Sequence, residues 1–262
     1  MIDIHCHLLP GIDDGPKSWD QSLNLCRAMA DEGIERAVAT PHLIDGVYEN
    51  VRSRVEPLTA ELRQRLADAG IDLDVSPGAE VDISSRYLSE RDDELPTLAL
   101  RNAVLLEMPV AVIPHAMGEI LFRVSAKGRV PVLAHPERNE LVQEDPDRAK
   151  VWLDAGAALQ VDGDSLLGVW GSRSDRCARM LFERGWVHAM ATDAHSCDRR
   201  PPRMQKALTA VTEIVGADTA AALVSSMPAS LLDGNRPTTH PAPIQRPTTQ
   251  RPSLISRLFR RN

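Results

Sequence analysis

Seven short apolar runs, at 2–7, 36–40, 73–77, 103–107, 130–135, 157–161 and 187–192, alternate along the chain with stretches of helical periodicity. Each run has the length of a buried strand and is too short for an ordinary helix. Parallel strands cannot be joined by tight hairpins and need a crossover of about a dozen residues, so the alternation implies parallel β/α units. The pattern alone leaves two closures open, a barrel or an open sheet. Helical stretches at 18–31, 50–69, 145–155 and 174–184 fill several of the crossovers. Ser18 is placed to cap the first, whose Leu23, Cys26 and Ala30 share a face. Asp145-Pro146 offers the third a cap followed by proline at the first helical position.

A chain of 262 residues with 43% hydrophobic content can fill such a core, but aromatics make up only 3%, so packing must rest on Leu, Val, Ile and Ala. The formal charge of −7 argues against nucleic acid as a partner. No window approaches the roughly 20 apolar residues of a membrane span. Met1-Ile2-Asp3-Ile4-His5 shows no basic-then-apolar leader. Cys6, Cys26, Cys177 and Cys197 form no paired spacing and read as reduced thiols, which places the expected protein in the cytoplasm.

Composition changes sharply near Asp233. Residues 234–262 hold six arginines, five prolines and no acidic side chain, and repeat Arg-Pro-Thr-Thr at 236–239 and 246–249. With those arginines set apart, the body at 1–233 carries a charge near −13. The expectation is one folded domain, 1–233, followed by a disordered, basic, Pro-rich tail, 234–262, that cannot bury enough apolar surface to fold alone. The closing residues, from Ser253 to Arg261, would also form a short basic amphipathic turn able to dock weakly on a partner or an anionic membrane.

Metal-binding side chains sit repeatedly at the C-terminal ends of the apolar runs, the end at which β/α barrels place their active sites. The first run gives His5 and His7, which alternation puts on one face with Asp3 while turning Cys6 away. On that reading Asp3 would orient an imidazole from behind. Asp13 and Asp14 follow in a Gly-bracketed loop. The second run leads to His42, the third to Glu80, the fourth ends in Glu107, the fifth in His135-Pro136-Glu137-Arg138, and the seventh in Asp193-Ala194-His195. Imidazole nitrogen with carboxylate oxygen suits manganese, zinc or iron, whereas an all-oxygen set would point to magnesium or calcium. So many ligands exceed the needs of one ion, and bridging carboxylates would let them hold two or three. His115, His188 and His240 stay outside the set and read as structural or solvated.

These residues have a familiar arrangement. Met1-Ile2-Asp3-Ile4-His5-Cys6-His7 with Asp13-Asp14-Gly15, then Ala39-Thr40-Pro41-His42, Gly78-Ala79-Glu80, Leu106-Glu107, Ala134-His135-Pro136-Glu137-Arg138-Asn139, Thr192-Asp193-Ala194-His195 and Arg200-Pro201-Pro202 resemble the PHP (polymerase and histidinol phosphatase) superfamily. More narrowly, they resemble its bacterial manganese-dependent protein-tyrosine phosphatases of capsule and exopolysaccharide operons. The resemblance spans roughly 1–230. It implies a distorted (β/α)7 barrel of the PHP type. It also implies a trinuclear site: His5, His7, Glu80 and Asp193 for one ion, Glu80, Glu107 and His135 for a second, Asp14, His42 and His195 for a third. Arg138 and Arg200 would hold the phosphate with forked donors. Hydroxide generated at the metals would attack phosphorus, and the implied substrate is the phosphotyrosine segment of a polysaccharide-assembly tyrosine kinase. Met108-Pro109 and Asn139 stand where the family often carries aromatics, so the motifs themselves are poor in rings.

Three other readings remain to be tested. Within the same superfamily, the substrate would be histidinol phosphate or another small phosphate monoester. In a different class, the chain would be a non-catalytic PHP regulatory module, although such a module should have lost ligands. Cys197 to Arg203 matches the Cys-x5-Arg spacing of thiol-based phosphatases, but Pro201 and Pro202 remove two N–H groups that a phosphate-cradling loop needs.

Overall fold

Closure is settled in favour of the barrel. The computed structural model describes residues 1–235, and within them nine strands pair in parallel: β1 (Ile2–Cys6), β2 (Arg36–Ala39), β3 (His42–Leu43), β4 (Asp74–Pro77), β5 (Glu80–Asp82), β6 (Ala103–Glu107), β7 (Val130–Ala134), β8 (Ala158–Asp162) and β9 (Ala189–Ala191). Ladders run β1-β2-β4 and β3-β5-β6-β7-β8-β9. Each of the seven expected runs contains a strand. The two strands the periodicity missed, β3 and β5, are upper halves of broken staves: β3 continues β2 past Thr40-Pro41, and β5 continues β4 past Gly78-Ala79. Pro41 has no N–H to give a ladder, but its carbonyl still accepts from Glu80 N at 3.1 Å. The ring closes where Asp193 N donates to His5 O at 2.9 Å and His7 N donates to Ala194 O at 2.8 Å.

Around the staves run α1 (Trp19–Asp31), α2 (Arg52–Asp68), α3 (Met117–Ala126), α4 (Glu140–Glu144), α5 (Arg148–Asp154), α6 (Gly163–Leu166), α7 (Ser172–Glu183), α8 (Met204–Val215), α9 (Ala217–Leu223) and α10 (Ser226–Leu232). Ser18 caps α1 as expected, its hydroxyl accepting from Gln21 N. The buried face of α1 is rotated from the expected one: Ser22, Leu25, Cys26 and Met29 are buried, while Leu23 and Ala30 lie at its margin. The expected start of α5 also moves. Asp145 Oδ1 receives Asp147 N, and the helix begins only at Arg148, with no side-chain cap. The local Asx turn competes with the helix and delays it.

Two apolar clusters reveal the layers. On β6 and β7, Val104, Leu106 and Leu133 belong to a large shell between barrel and helices, while Ala103, Leu105, Val130 and Val132 belong to a smaller one. That alternation identifies the smaller cluster as the barrel interior. Ile4, Val38, Ala158 and Ala191 share it, and Leu231 and Leu232 of α10 plug its lower end. No helix among the described residues is long and apolar enough to cross a membrane. Apart from Gly234 and Asn235, the expected tail, with His240 and both Arg-Pro-Thr-Thr repeats, lies outside the described residues.

Candidate metal centre

The first stave builds the site by breaking its own rhythm. Its register against β2 slips between Asp3 and Cys6. Below the slip Ile2 and Ile4 face the interior; above it His5 and His7 face the barrel mouth, while Cys6 packs into the outer shell. A bulge of this kind re-aims side chains that strict alternation would send elsewhere. Asp3 therefore does not orient an imidazole. Its carboxylate accepts from Thr192 Oγ1 at 2.5 Å, Thr192 N at 3.3 Å and His5 N at 3.1 Å, tying β1 to the end of β9. Burial lifts the Asp3 carboxyl to about 6 despite those bonds.

The orienting groups are elsewhere. His5 Nδ1 donates to Gln160 Oε1 at 2.8 Å, and His7 Nδ1 to Asp13 Oδ2 at 2.8 Å. Each bond leaves Nε2 as the lone-pair atom facing the site, the usual second-sphere device for a metal-ligating histidine. His195 Nδ1 donates to the Asp193 carbonyl at 2.8 Å, with the same consequence. Asp13 also receives Gly15 N at 2.9 Å and His42 N at 3.3 Å. A Cβ at Gly15 would stand 3.0 Å from the His7 Cβ, tighter than ordinary contact, so glycine eases the loop's close approach to the first stave. The adjacent aspartates thus part in role: Asp13 is buried behind His7, and Asp14 stands half exposed at the mouth.

All nine expected ligands converge. His5 Nε2 lies 3.3 Å from both Glu80 Oε2 and Asp193 Oδ1, and His7 Nε2 lies 3.5 and 3.3 Å from the same two atoms. His42 Nδ1 is 3.0 Å from Glu80 Oε2 and 3.4 Å from Glu107 Oε2, while its Nε2 is 3.5 Å from Asp14 Oδ1. His195 Nε2 is 3.1 Å from Asp14 Oδ1, and His135 Nε2 is 2.8 Å from Glu80 Oε1. Three sets have donor atoms close enough to share an ion: His5, His7, Glu80 and Asp193; His7, Asp14, His42 and His195; His42, Glu80 and Glu107. The first is the expected set, and the second adds His7 to its expected members. In the third His42 takes the expected place of His135, which remains 4.0 Å from Glu107 Oε1. His135 and Asp193 both have positive φ, +29° and +49°. Left-handed backbone at non-glycine residues is costly and is maintained by surrounding structure, here at two members of the cluster.

The donor set fits metal ions on a test independent of motif. His5 Nε2, His7 Nε2, His42 Nδ1, Glu80 Oε2 and Asp193 Oδ1 are buried and make no hydrogen bond. Buried polar atoms normally have partners, and these five point at one another. Burial opposes charge at Glu80 and Asp193, yet His5 and the other neighbouring cations hold both carboxyls well below the usual range. Burial likewise opposes the charged imidazoles, but nearby carboxylates raise His5 and His7 and lift His42 to about 10.

At the rim, Arg138 Nη1 lies 2.7 Å from Asp193 Oδ2 and its Nη2 donates to Asp162. Arg200 Nη2 donates to the same Asp193 oxygen, and its Nη1 donates to His195 Nε2 at 2.9 Å. Rings that the motifs lack arrive from elsewhere: Tyr48 stacks on His42 at 5.9 Å, and Trp170 lies 4.1 Å from the Arg138 guanidinium and 5.2 Å from that of Arg200. The thiol alternative loses its geometry. Cys197 is exposed with its pKa raised by partial burial and Asp198, and Arg203 is paired with Asp164. His115 is exposed, and His188 is buried with its Nδ1 accepting from Leu159 N, in keeping with their reading as non-ligands.

Sequence reasoning passed over Gln160, Asp162 and Trp170. Gln160 and Asp162 sit at alternate positions of β8 with interior Ala158, and a polar pair at period two in an apolar run was the available signal. Trp170 follows no strand end directly and carried no signal.

A family model described as capsular polysaccharide synthesis, CpsB/CapC, matches residues 1–233. The chain is 34% identical to the tyrosine-protein phosphatase YwqE of Bacillus subtilis, over 83% of this chain and 86% of that protein. It is 28% identical to the tyrosine-protein phosphatase CpsB of Streptococcus pneumoniae, over 88% and 98%. Among solved structures, one from work on YwqE and CpsB, described as unique metal-dependent tyrosine phosphatases, superposes with a TM-score of 0.86 at 32% identity, covering 94% of this chain and all of that one. A lactonase from Listeria monocytogenes shares the fold, with a TM-score of 0.57 at 12% identity over 90% of this chain and 95% of its own.

Proposed function

The chain belongs to the CpsB/CapC family of capsular polysaccharide synthesis, and from that premise we infer that it is a metal-dependent protein-tyrosine phosphatase. The observation that carries this reading is the convergence of five buried, unpartnered lone-pair atoms between Glu80 and Asp193. We propose His5, His7, Asp14, His42, Glu80, Glu107, His135, Asp193 and His195 as the ligands of two or three ions, manganese first among the candidates. Such ions, when bound, lower the pKa of water and neutralise charge on a phosphoryl group.

The remaining chemistry belongs to the chain's own side chains. Arg138 and Arg200 lean on Asp193 Oδ2, which fixes their guanidiniums beside the metal set. Their buried Nε–H groups are unpartnered, and we assign these donors to phosphoryl oxygens. Gln160 and Asp13 keep the two histidines of β1 in the ligating tautomer. A phenolate, whose acid has a pKa near ~10, leaves with less protonation than a serine alkoxide requires. The site therefore suits aryl phosphates without a dedicated general acid. The substrate we propose is the phosphotyrosine-bearing segment of a polysaccharide-assembly tyrosine kinase, met in the cytoplasm.

The test compares initial rates on a phosphotyrosine peptide, a phosphoserine peptide and histidinol phosphate, with manganese and with EDTA. Manganese-dependent release from phosphotyrosine, abolished by EDTA and by His5→Ala/His7→Ala, is the expected outcome. A preference for histidinol phosphate would move the substrate to the small-molecule branch of the superfamily.

A further inference from the structure

Trp170 is the one aromatic side chain among the described residues that touches both rim arginines, and neither a ligand role nor core packing accounts for it. Gly171, with φ +87°, ends the loop that carries it and starts α7. The ring is anchored on its site side: Nε1 donates to Asp162 Oδ2 at 2.5 Å, the same oxygen that receives Arg138 Nη2. Contacts of 4.1 and 5.2 Å with the two guanidiniums are within cation–π range. Trp170 as a whole is 37% exposed. It lines a cavity of about 580 Å³ together with Val110, Arg138, Glu140, Gln143 and Arg173. A void of about 150 Å³ is enough for benzene, so this one has room for a phenyl ring and some chain beyond it.

We propose that Trp170 is the specificity-determining residue for the aryl group of the substrate: its exposed surface receives the phenyl ring of phosphotyrosine while its Asp162 bond and guanidinium contacts hold that surface in line with the phosphate-binding arginines. The proposal rests on the phosphotyrosine reading above. Three features favour an aryl occupant. The Trp170 ring, anchored through Nε1, presents a π surface to the cavity, and aromatic pairs gain beyond their buried area. The cavity opens onto Arg138, so a ring packed there carries its phosphate toward the arginines and the metal set. Tyr48, the other ring at the site, is stacked on His42 instead. A seryl side chain offers no π face to such a wall.

Calorimetric titration of the manganese-loaded full chain with phenylphosphonate and with inorganic phosphate tests this. Phosphate reads the arginines and metals alone; phenylphosphonate adds the ring. Trp170→Leu is expected to weaken phenylphosphonate binding about tenfold, the scale of an aromatic pair, and to leave phosphate binding within about twofold. Trp170→Phe should recover part of the loss, because it keeps a ring but lacks the Nε1 bond that anchors it. If both dissociation constants rise together in Trp170→Leu, the tryptophan only props the arginines and the proposal is overturned. It is equally overturned if neither constant moves, or if Trp170→Phe binds phenylphosphonate no better than Trp170→Leu. Failure of the underlying reading is seen separately, in the unmodified chain: no manganese-dependent release from a phosphotyrosine peptide would remove that reading and this proposal with it.

Discussion

The two ends of one barrel are made from the same staves and obey opposite rules. At the lower end, Ile4, Val38, Leu105, Val132 and Ala158 fill the interior and α10 closes it with Leu231 and Leu232. One to four residues further along the same staves, His5, His42, Glu107, His135 and Gln160 crowd polar atoms together, several with no hydrogen-bond partner. The lower end gains stability from burial and loses little by being generic. The upper end holds buried charge and left-handed backbone at His135 and Asp193, which cost stability. Barrels separate stability from chemistry in this way.

The largest effect should come from breaking the upper end alone. Glu80→Gln removes the carboxylate that faces His5, His7, His42 and His135. Phosphotyrosine hydrolysis is expected to fall on the order of 1,000-fold, with bound manganese reduced on elemental analysis. At neutral pH the metal-free variant should also melt below the metal-free parent, since the carboxylate that offsets the protonated His5, His7 and His42 is gone. Full activity in Glu80→Gln would remove Glu80 from the ligand set.

Breaking the lower end should do the converse. Leu105→Ala opens a cavity in the interior and is expected to cost about 2–4 kcal/mol, lowering Tm by roughly 5–15 °C at this chain length. The kcat of the folded variant at room temperature should stay within about threefold of the parent. A variant that keeps its Tm but loses activity would show that the two ends are not separable.

The smallest effect concerns pH and sharpens the contrast. In the metal-free chain His5, His7 and His42 hold protons more tightly than they would unfolded. Their contribution to stability is full below a pH of about 6.5 and fades as pH rises through the folded values, which for His42 is about 10. Melting scans of metal-free protein should therefore show Tm falling between pH 7 and 10, and Glu80→Gln should flatten the slope. Leu105→Ala should shift the whole curve without changing its shape. A metal-free parent with a flat profile would contradict the electrostatic account of the upper end.

Much of this was legible without coordinates, and what was not follows a pattern. Ligand-bearing residues were readable because strand ends are local features: an apolar run stopping at His135 or Asp193 announces itself within a few residues. The halves β3 and β5 were invisible, since strands of two or three residues leave no periodicity. The parity of His5 was misread for a similar reason. Strict alternation grouped it with Asp3, but the register slip against β2 separates them.

By itself the sequence determined the seven-fold alternation, the candidate ligands at strand ends and the acidic body, because periodicity and spacing are written in neighbouring residues. Only the tertiary structure decided which group orients each imidazole, that His42 stands between two ligand sets, and that Trp170 meets both arginines. Those facts depend on partners far apart in the chain. Gln160 reaches His5 across 155 positions, and Asp3 reaches Thr192 across 189. Such pairings become defined only when the barrel closes and brings the first stave beside the last.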